Sequence, residues 1–293
     1  MTLAVNEDHF RNYLGPPIAA NPQEDAMQVA ISSLLFKSHP LGKVIVLARE
    51  QGVSWVEVWS EHLWRDDRGD LVKQLRNSGL SLSVHGPIGD LNITSSNPGI
   101  REESIRQVLQ GIEESAAMGA RVITIHPGYL TGRQDAPEGI WDMQISAFTR
   151  FATRGKELGL AIAMETMEKR NKEVVIHPEI VNQIIDAVNM DNFGVTFDIS
   201  HAHTVMDVVA FIRALRKITH IHISDTKQGK VHVLLGEGEI AFGPVLRALK
   251  EKYDGALVIE GWNPKDELGM VRKSTAFLNA QLDQLTTNLN SEV

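Results

Sequence analysis

Six apolar runs in the 293-residue chain end alike, each in an imidazole or a carboxylate. SLSVHGP ends at His85, VITIHPG at His126, AIAMET at Glu165, GVTFDISH at Asp198 and His201, IHISD at His222 and Asp225, and LVIEGW at Glu260. Side chains of these types bind divalent cations and exchange protons. Taken singly, a His at a strand end is more often a hydrogen-bonded structural residue, and an Asp there is commonly a helix cap. Convergence changes that reading, because acidic and imidazole groups sharing one mouth repel each other or are penalised by desolvation unless a cation neutralises them. Glu165, Asp198, His222 and Glu260 come from successive runs and are expected to surround one ion. His85 and His126 either hold a second ion with Glu165 bridging or contact substrate. The chain has no cysteine, so thiolate ligands are excluded, and the remaining donors suit Mn²⁺, Mg²⁺, Co²⁺ or Zn²⁺.

Other residues near these runs carry two readings each. His220 lies two positions before His222, hence on the same strand face and one layer deeper, and is read as structural. Asp225 either orients a histidine or caps a turn. The glycines of VHVLLGEGEI (231–240) permit tight turns that bring His232 over the mouth, while Lys227 and Lys230 are either solvated loop lysines or contacts to an anion or substrate. Glu57, alternating with Val56 and Val58, is a buried acid or the partner of a neighbouring base. His9, His39, His62, His177 and His203 show no convergent pattern and are read as surface or helix-start residues.

Strands that deliver function at the same end must be parallel, and so many of them point to a closed parallel barrel with one shared mouth. The periodicity gives strands at 28–36, 55–59, 81–85, 122–126, 160–165, 193–198, 218–224 and 256–260. Helices are expected at 40–51, 66–78, 104–118, 138–158, 178–189, 205–217, 243–252 and about 266–288, with a polar excursion at 226–239. Gly119 stops the third of these helices. No Pro/Gly/Ser-rich linker interrupts the plan, so residues 27–293 are expected to form one (β/α)8 TIM barrel. Residues 1–26, with Pro16, Pro17 and Pro22, are read as an irregular N-terminal arm packed on the barrel or part of a subunit contact.

The chain is 43% hydrophobic and 23% charged, as in soluble globular proteins. No apolar stretch approaches the roughly 18–20 residues that span a bilayer. The N-terminus lacks a basic start followed by an apolar core, so a cytoplasmic protein with no membrane partner is expected. A formal charge of −8 without a Lys/Arg run argues mildly against nucleic acid.

SVHGPIGDLN, GARVITIHPG, the Glu of AMET, VTFDISH, THIHISD, HVLLGEGEI and VIEGW, in this order, resemble the xylose-isomerase-like TIM-barrel superfamily over nearly the whole chain after about residue 28. That superfamily holds sugar and sugar phosphate isomerases and epimerases together with endonuclease IV (AP endonuclease family 2). The isomerase branch implies one ion, usually Mn²⁺ or similar, on Glu165, Asp198, His222 and Glu260. It makes Glu165 and Glu260 the catalytic pair that moves a proton next to a carbonyl through an enediolate. His201 and His126 would then hold hydroxyls of a sugar-like substrate, with Lys230 or Lys227 at a phosphate or carboxylate. The nuclease branch implies three zinc ions at abasic DNA: one on His85, His126 and Glu165, one on the four-ligand set, and a third on His201, His232 and an aspartate two residues before His232. Here that position is Lys230, whose ammonium is hostile to a third cation or stands in for its charge. The reading carried forward is a divalent-metal-dependent isomerase or epimerase, with a zinc-dependent hydrolase of abasic DNA as the alternative. A metal-bound barrel that binds ligand without turnover is the third reading. Barrels of this superfamily often pair, so a homodimer is compatible with the resemblance.

Overall fold

A computed structural model describes residues 27–64, 68–132 and 138–291. The eight barrel strands are β1 (Gln28–Ser32), β2 (Trp55–Trp59), β3 (Ser81–His85), β4 (Val122–Ile125), β5 (Ala161–Glu165), β6 (Phe193–Asp198), β7 (Ile218–Ile223) and β10 (Ala256–Ile259). They close in the order β1-β10-β7-β6-β5-β4-β3-β2, with every neighbouring pair parallel. Two further strands, β8 (Asp225–Lys227) and β9 (Lys230–Val233), form an antiparallel hairpin that starts just after β7 and runs into the stretch read as a polar excursion.

Helices cover the outside of the ring: α1 (Leu41–Glu50), α2 (Ser60–Leu63), α3 (Arg68–Arg76), α4 (Pro98–Met118), α5 (Glu138–Leu158), α6 (Pro178–Val188), α7 (Ile199–His203), α8 (Val208–Ala214), α9 (Phe242–Lys250) and α10 (Glu267–Ser291). The main apolar core lies between strands and helices and includes Phe148 and Phe151 of α5 against Phe193 of β6. Truncating any of these phenylalanines to Ala would cost about 3–5 kcal/mol.

Several boundaries depart from the sequence pattern for local reasons. The first strand stops at Ser32, whose hydroxyl accepts the Leu34 N–H and starts a 3₁₀ turn (Ser33–Phe36) instead of four more strand residues. α4 begins at Pro98, six residues before the periodic stretch, because Asn97 caps it and Pro98 suits the first turn. Gly119, with φ 78°, ends it as expected. The helix expected at 205–217 is shortened to α8, and the short α7 precedes it. Asp198 caps α7 directly at the end of β6, and Asp207 caps α8. The N-terminal arm read at 1–26 lies outside the described residues. Among the described residues, no helix is long and apolar enough to cross a membrane.

The lumen explains how the site is held. Glu57 on β2 reaches His220 and His222 on β7, which is not its neighbour in the ring, so these side chains cross the barrel interior. At the floor, Ala30, Trp55, Ala256 and Val258 form a small apolar cluster of their own. One layer up the interior is polar: Glu57, Ser83 beside it in register, Thr196 beside His220, and Thr124 hydrogen-bonded to Thr196 across β5 at 2.8 Å. Barrel interiors are usually filled with branched apolar residues. Here a polar layer underlies the mouth.

Candidate metal centre

Glu165, Asp198 and His222 end or nearly end β5, β6 and β7, and Glu260 follows β10 directly. One donor atom from each lies within 4.8 Å of the others, and all four residues are buried. His222 Nδ1 is 3.0 Å from Glu165 Oε1 and 2.9 Å from Glu260 Oε2. Asp198 divides its work: Oδ1 accepts from Ser200 Oγ and the His201 N–H, both at 2.8 Å. Its Oδ2 is buried without a hydrogen bond, as are Glu165 Oε2 and Glu260 Oε2. Buried carboxylate oxygens without hydrogen bonds on three residues that converge with one imidazole are a costly arrangement for hydrogen bonding alone, and they match the donor set of a divalent cation. The residues present fit a metal.

Two more groups flank this one. His85 and His126 approach Glu165 Oε2 at 3.5 and 3.0 Å. His85 Nδ1 contacts the Gly86 carbonyl at 2.9 Å, which turns Nε2 towards Glu165. His201 Nδ1 likewise meets the Thr166 carbonyl, and its Nε2 lies 3.2 Å from His232 Nε2. Asp198, His201 and His232 thus form a third set with metal-ligand spacing. The imidazoles and carboxylates shift one another strongly. Burial opposes the charge of Glu165 and Glu260, yet the imidazoles hold Glu165 well below the usual range and Glu260 at about 2. Burial likewise opposes charge on His85 and His201, but Glu165 raises His85 to about 10, and Asp198 and Glu165 raise His201 to about 9. A bound cation would reverse this for any imidazole that ligates it, since the ligand form is deprotonated.

Two open readings close and one changes. Lys230 does not enter the third set. It is exposed on the hairpin, in register with Lys227, and Asp198 occupies the carboxylate position instead. The reason is backbone: His232 has φ 58°, so the strand alternation that would put residues 230 and 232 on one face is broken. Asp225 is a turn anchor. Its two oxygens accept the N–H groups of Thr226, Gly236, Gly238 and Ile240, leaving no free donor. A Cβ at Gly238 would lie 2.2 Å from Asp225 Oδ1, so only glycine allows this approach. His62, read as a surface or helix-start residue, is buried with Nδ1 2.9 Å from Ser33 Oγ.

Glu57 was open in the sequence and is now specific: it is fully buried and contacts both His220 and His222. Glu173 was missed. Burial raises its carboxyl to about 7, and the neighbouring charges, His126 first among them, act on it. Its position in a polar loop after β5 carried no periodic signal. At the rim, the Lys37 ammonium sits between the Trp59 and Trp262 rings, 4.8 and 4.9 Å from their centroids.

The family model for xylose isomerase-like TIM barrels matches residues 45–281. The uncharacterized protein MJ1311 of Methanocaldococcus jannaschii is 29% identical over 267 residues, covering 88% of this chain and 90% of that protein. A probable endonuclease 4 of Listeria monocytogenes is 28% identical over 205 residues, 64% of each chain. Among solved structures, a D-tagatose 3-epimerase-like protein superposes with TM-score 0.80 at 27% identity, covering 90% of this chain and all (100%) of that one. The IOLI protein with a bound zinc atom shares the fold at TM-score 0.76 and 18% identity, over 88% of this chain and 99% of that chain. The relatives with named activities are thus epimerases and endonucleases, and one fold neighbour holds a zinc atom. This chain belongs to the xylose isomerase-like TIM barrel family.

Proposed function

We propose that the protein is a divalent-metal-dependent isomerase or epimerase of a sugar-like ketose or polyol. The observation that carries the reading is the four-residue arc in which Glu165 and Glu260 stand at the two ends, with Asp198 and His222 between them in ring order. When bound, the ion polarises a substrate carbonyl and its neighbouring hydroxyl. The remaining work belongs to the chain. Both terminal carboxylates are ionised at neutral pH, held so by surrounding imidazoles, and each keeps a bare oxygen. One accepts the proton from the carbon beside the carbonyl, and the other returns a proton to the opposite face or neighbouring carbon. His126, with its side chain 34% exposed, together with His201 and His232, offers N–H groups or lone pairs to substrate hydroxyls. Trp262 gives the mouth an apolar wall two residues beyond Glu260. The similarity to a D-tagatose 3-epimerase-like protein supports this reading.

The test is solvent-proton exchange into a panel of ketoses, followed by deuterium incorporation at the carbons flanking the carbonyl. Exchange that depends on added Mn²⁺, Co²⁺, Mg²⁺ or Zn²⁺ is the expected result. Glu165→Gln and Glu260→Gln should each reduce it by roughly 10²–10⁴-fold. Exchange that persists in both variants would remove the assigned roles.

A second reading, a zinc-dependent hydrolase of abasic DNA, is favoured by the two additional ligand sets and by the similarity to a probable endonuclease 4. It requires two or three zinc ions per chain and cleavage that depends on His85 and His126. Elemental analysis of protein purified without added metal separates the two: about one ion supports the isomerase, more than one brings the abasic-DNA assay forward.

A further inference from the structure

Glu57 belongs to none of the three ligand sets at the mouth, yet it is fully buried beneath them. Its Oε2 lies 2.8 Å from His220 Nε2, and its two oxygens lie 3.0 and 3.2 Å from His222 Nε2. The three residues have spacing compatible with a fourth ion. The 2.8 Å separation to His220 is that of an ordinary hydrogen bond, and His222 meets the four-ligand set through its other ring nitrogen.

Donor counting then fixes the protons. Glu57 faces one imidazole nitrogen at 2.8 Å and another at 3.0 Å, and a carboxylate so placed accepts from both. Each imidazole nitrogen facing it must therefore carry a hydrogen. His222 Nε2–H points to Glu57, which leaves Nδ1 as the nitrogen that would give its lone pair to an ion once its own proton is released. Nδ1 is the atom 2.9 Å from Glu260 Oε2 and 3.0 Å from Glu165 Oε1. The second donor, His220, fixes the Glu57 carboxylate from the layer below and prevents it from turning away.

We propose that Glu57 is a positioning residue that selects the metal-binding nitrogen of His222 from across the barrel lumen, with His220 as its brace. The assignment rests on the four-ligand reading of the mouth. It makes β2, which supplies no ligand of that set, a determinant of metal affinity. Carboxylates that orient a ligating histidine typically contribute 10–100-fold to affinity.

The experiment measures affinity for Mn²⁺ and Zn²⁺ by chelator competition on wild-type protein, Asp198→Asn and Glu57→Gln, with folding of each checked by circular dichroism. Imidazole ring protons and nitrogens are followed by NMR in the same samples. Wild type should bind the ion and Asp198→Asn should not. Glu57→Gln should remain folded, bind 10–100-fold more weakly, and show the His222 Nε2 proton moved upfield and less protected from exchange. Wild type should also show an exchange-protected, downfield Nε2 proton on His222, with or without metal. Equal affinity in wild type and Glu57→Gln would overturn the proposal while leaving the four-ligand reading intact. Metal binding unaffected by Asp198→Asn would overturn the four-ligand reading itself. The protected proton is read on wild-type protein, so its absence overturns the proposal even where Glu57→Gln fails to fold.

Discussion

Asp198 carries two duties on two oxygens, and separating them is informative. Oδ1 caps α7 through the His201 N–H, while Oδ2 is bare among the other donors. Asp198→Asn retains a capping oxygen and loses the charge. It should therefore lower metal affinity at least 100-fold with little change in the melting temperature of metal-free protein. Asp198→Ala should lose the cap as well, at about 1 kcal/mol. Calorimetry beside chelator competition checks the pair. At this scale the sequence was most legible where a side chain ends an apolar run, because a strand end fixes both its face and its height in a barrel. Glu165, Asp198, His222 and Glu260 are of this kind. Glu57 was less legible. Alternation placed it on one face of β2 with Trp55 and Trp59, but a period of two names no partner across the lumen. Lys230 stands where the resemblance puts a third-set aspartate, and its exposed place on the hairpin fits the solvated-lysine reading.

The hairpin β8–β9 and the turn after it are organised by Asp225. With four backbone N–H groups on one buried carboxylate, Asp225 is the main anchor of the turn after the hairpin that carries His232. Asp225→Ala would strand those donors. The expected loss is about 3 kcal/mol, seen in urea unfolding, with exchange activity on ketoses reduced more than stability alone explains. Gly238→Ala should resemble it, since the added Cβ meets the same carboxylate. Element identity was read correctly from periodicity around the ring. What escaped were features set by caps: the early start at Asn97, the start of α8 at Asp207, and the 3₁₀ turn after Ser32. A cap acts through one hydrogen bond and leaves no periodic trace, so it competes with the hydrophobic pattern without being visible in it.

The whole barrel concentrates opposite charges in one buried layer, and its stability should follow their titration. His85 is raised from 6.5 to about 10, so its contribution is fully present below pH 6.5 and is lost as pH rises through about 10. Glu260 is lowered from 4.5 to about 2, so its contribution is present above pH 4.5 and is lost as pH falls through about 2. Metal-free protein should melt at its highest temperature between about pH 4.5 and 6.5, declining on both sides in a pH series of thermal scans. Metal at 100 times its dissociation constant should add about 2.7 kcal/mol. The closed ring was legible because the strand ends agree. Which strands face each other was not, because that depends on closure between β1 and β10, the first and last barrel strands in the chain. The four-ligand set joins β5, β6, β7 and β10, a continuous arc that excludes β1, β2, β3 and β4. An ion there fastens half of a hoop. Backbone amides on that arc should breathe more slowly once it is loaded, while those on the other arc keep their hydrogen-exchange rates. Slowing that extends to β3 and β4 would mean His85 and His126 are fastened too, so the exchange map around the ring counts the ions.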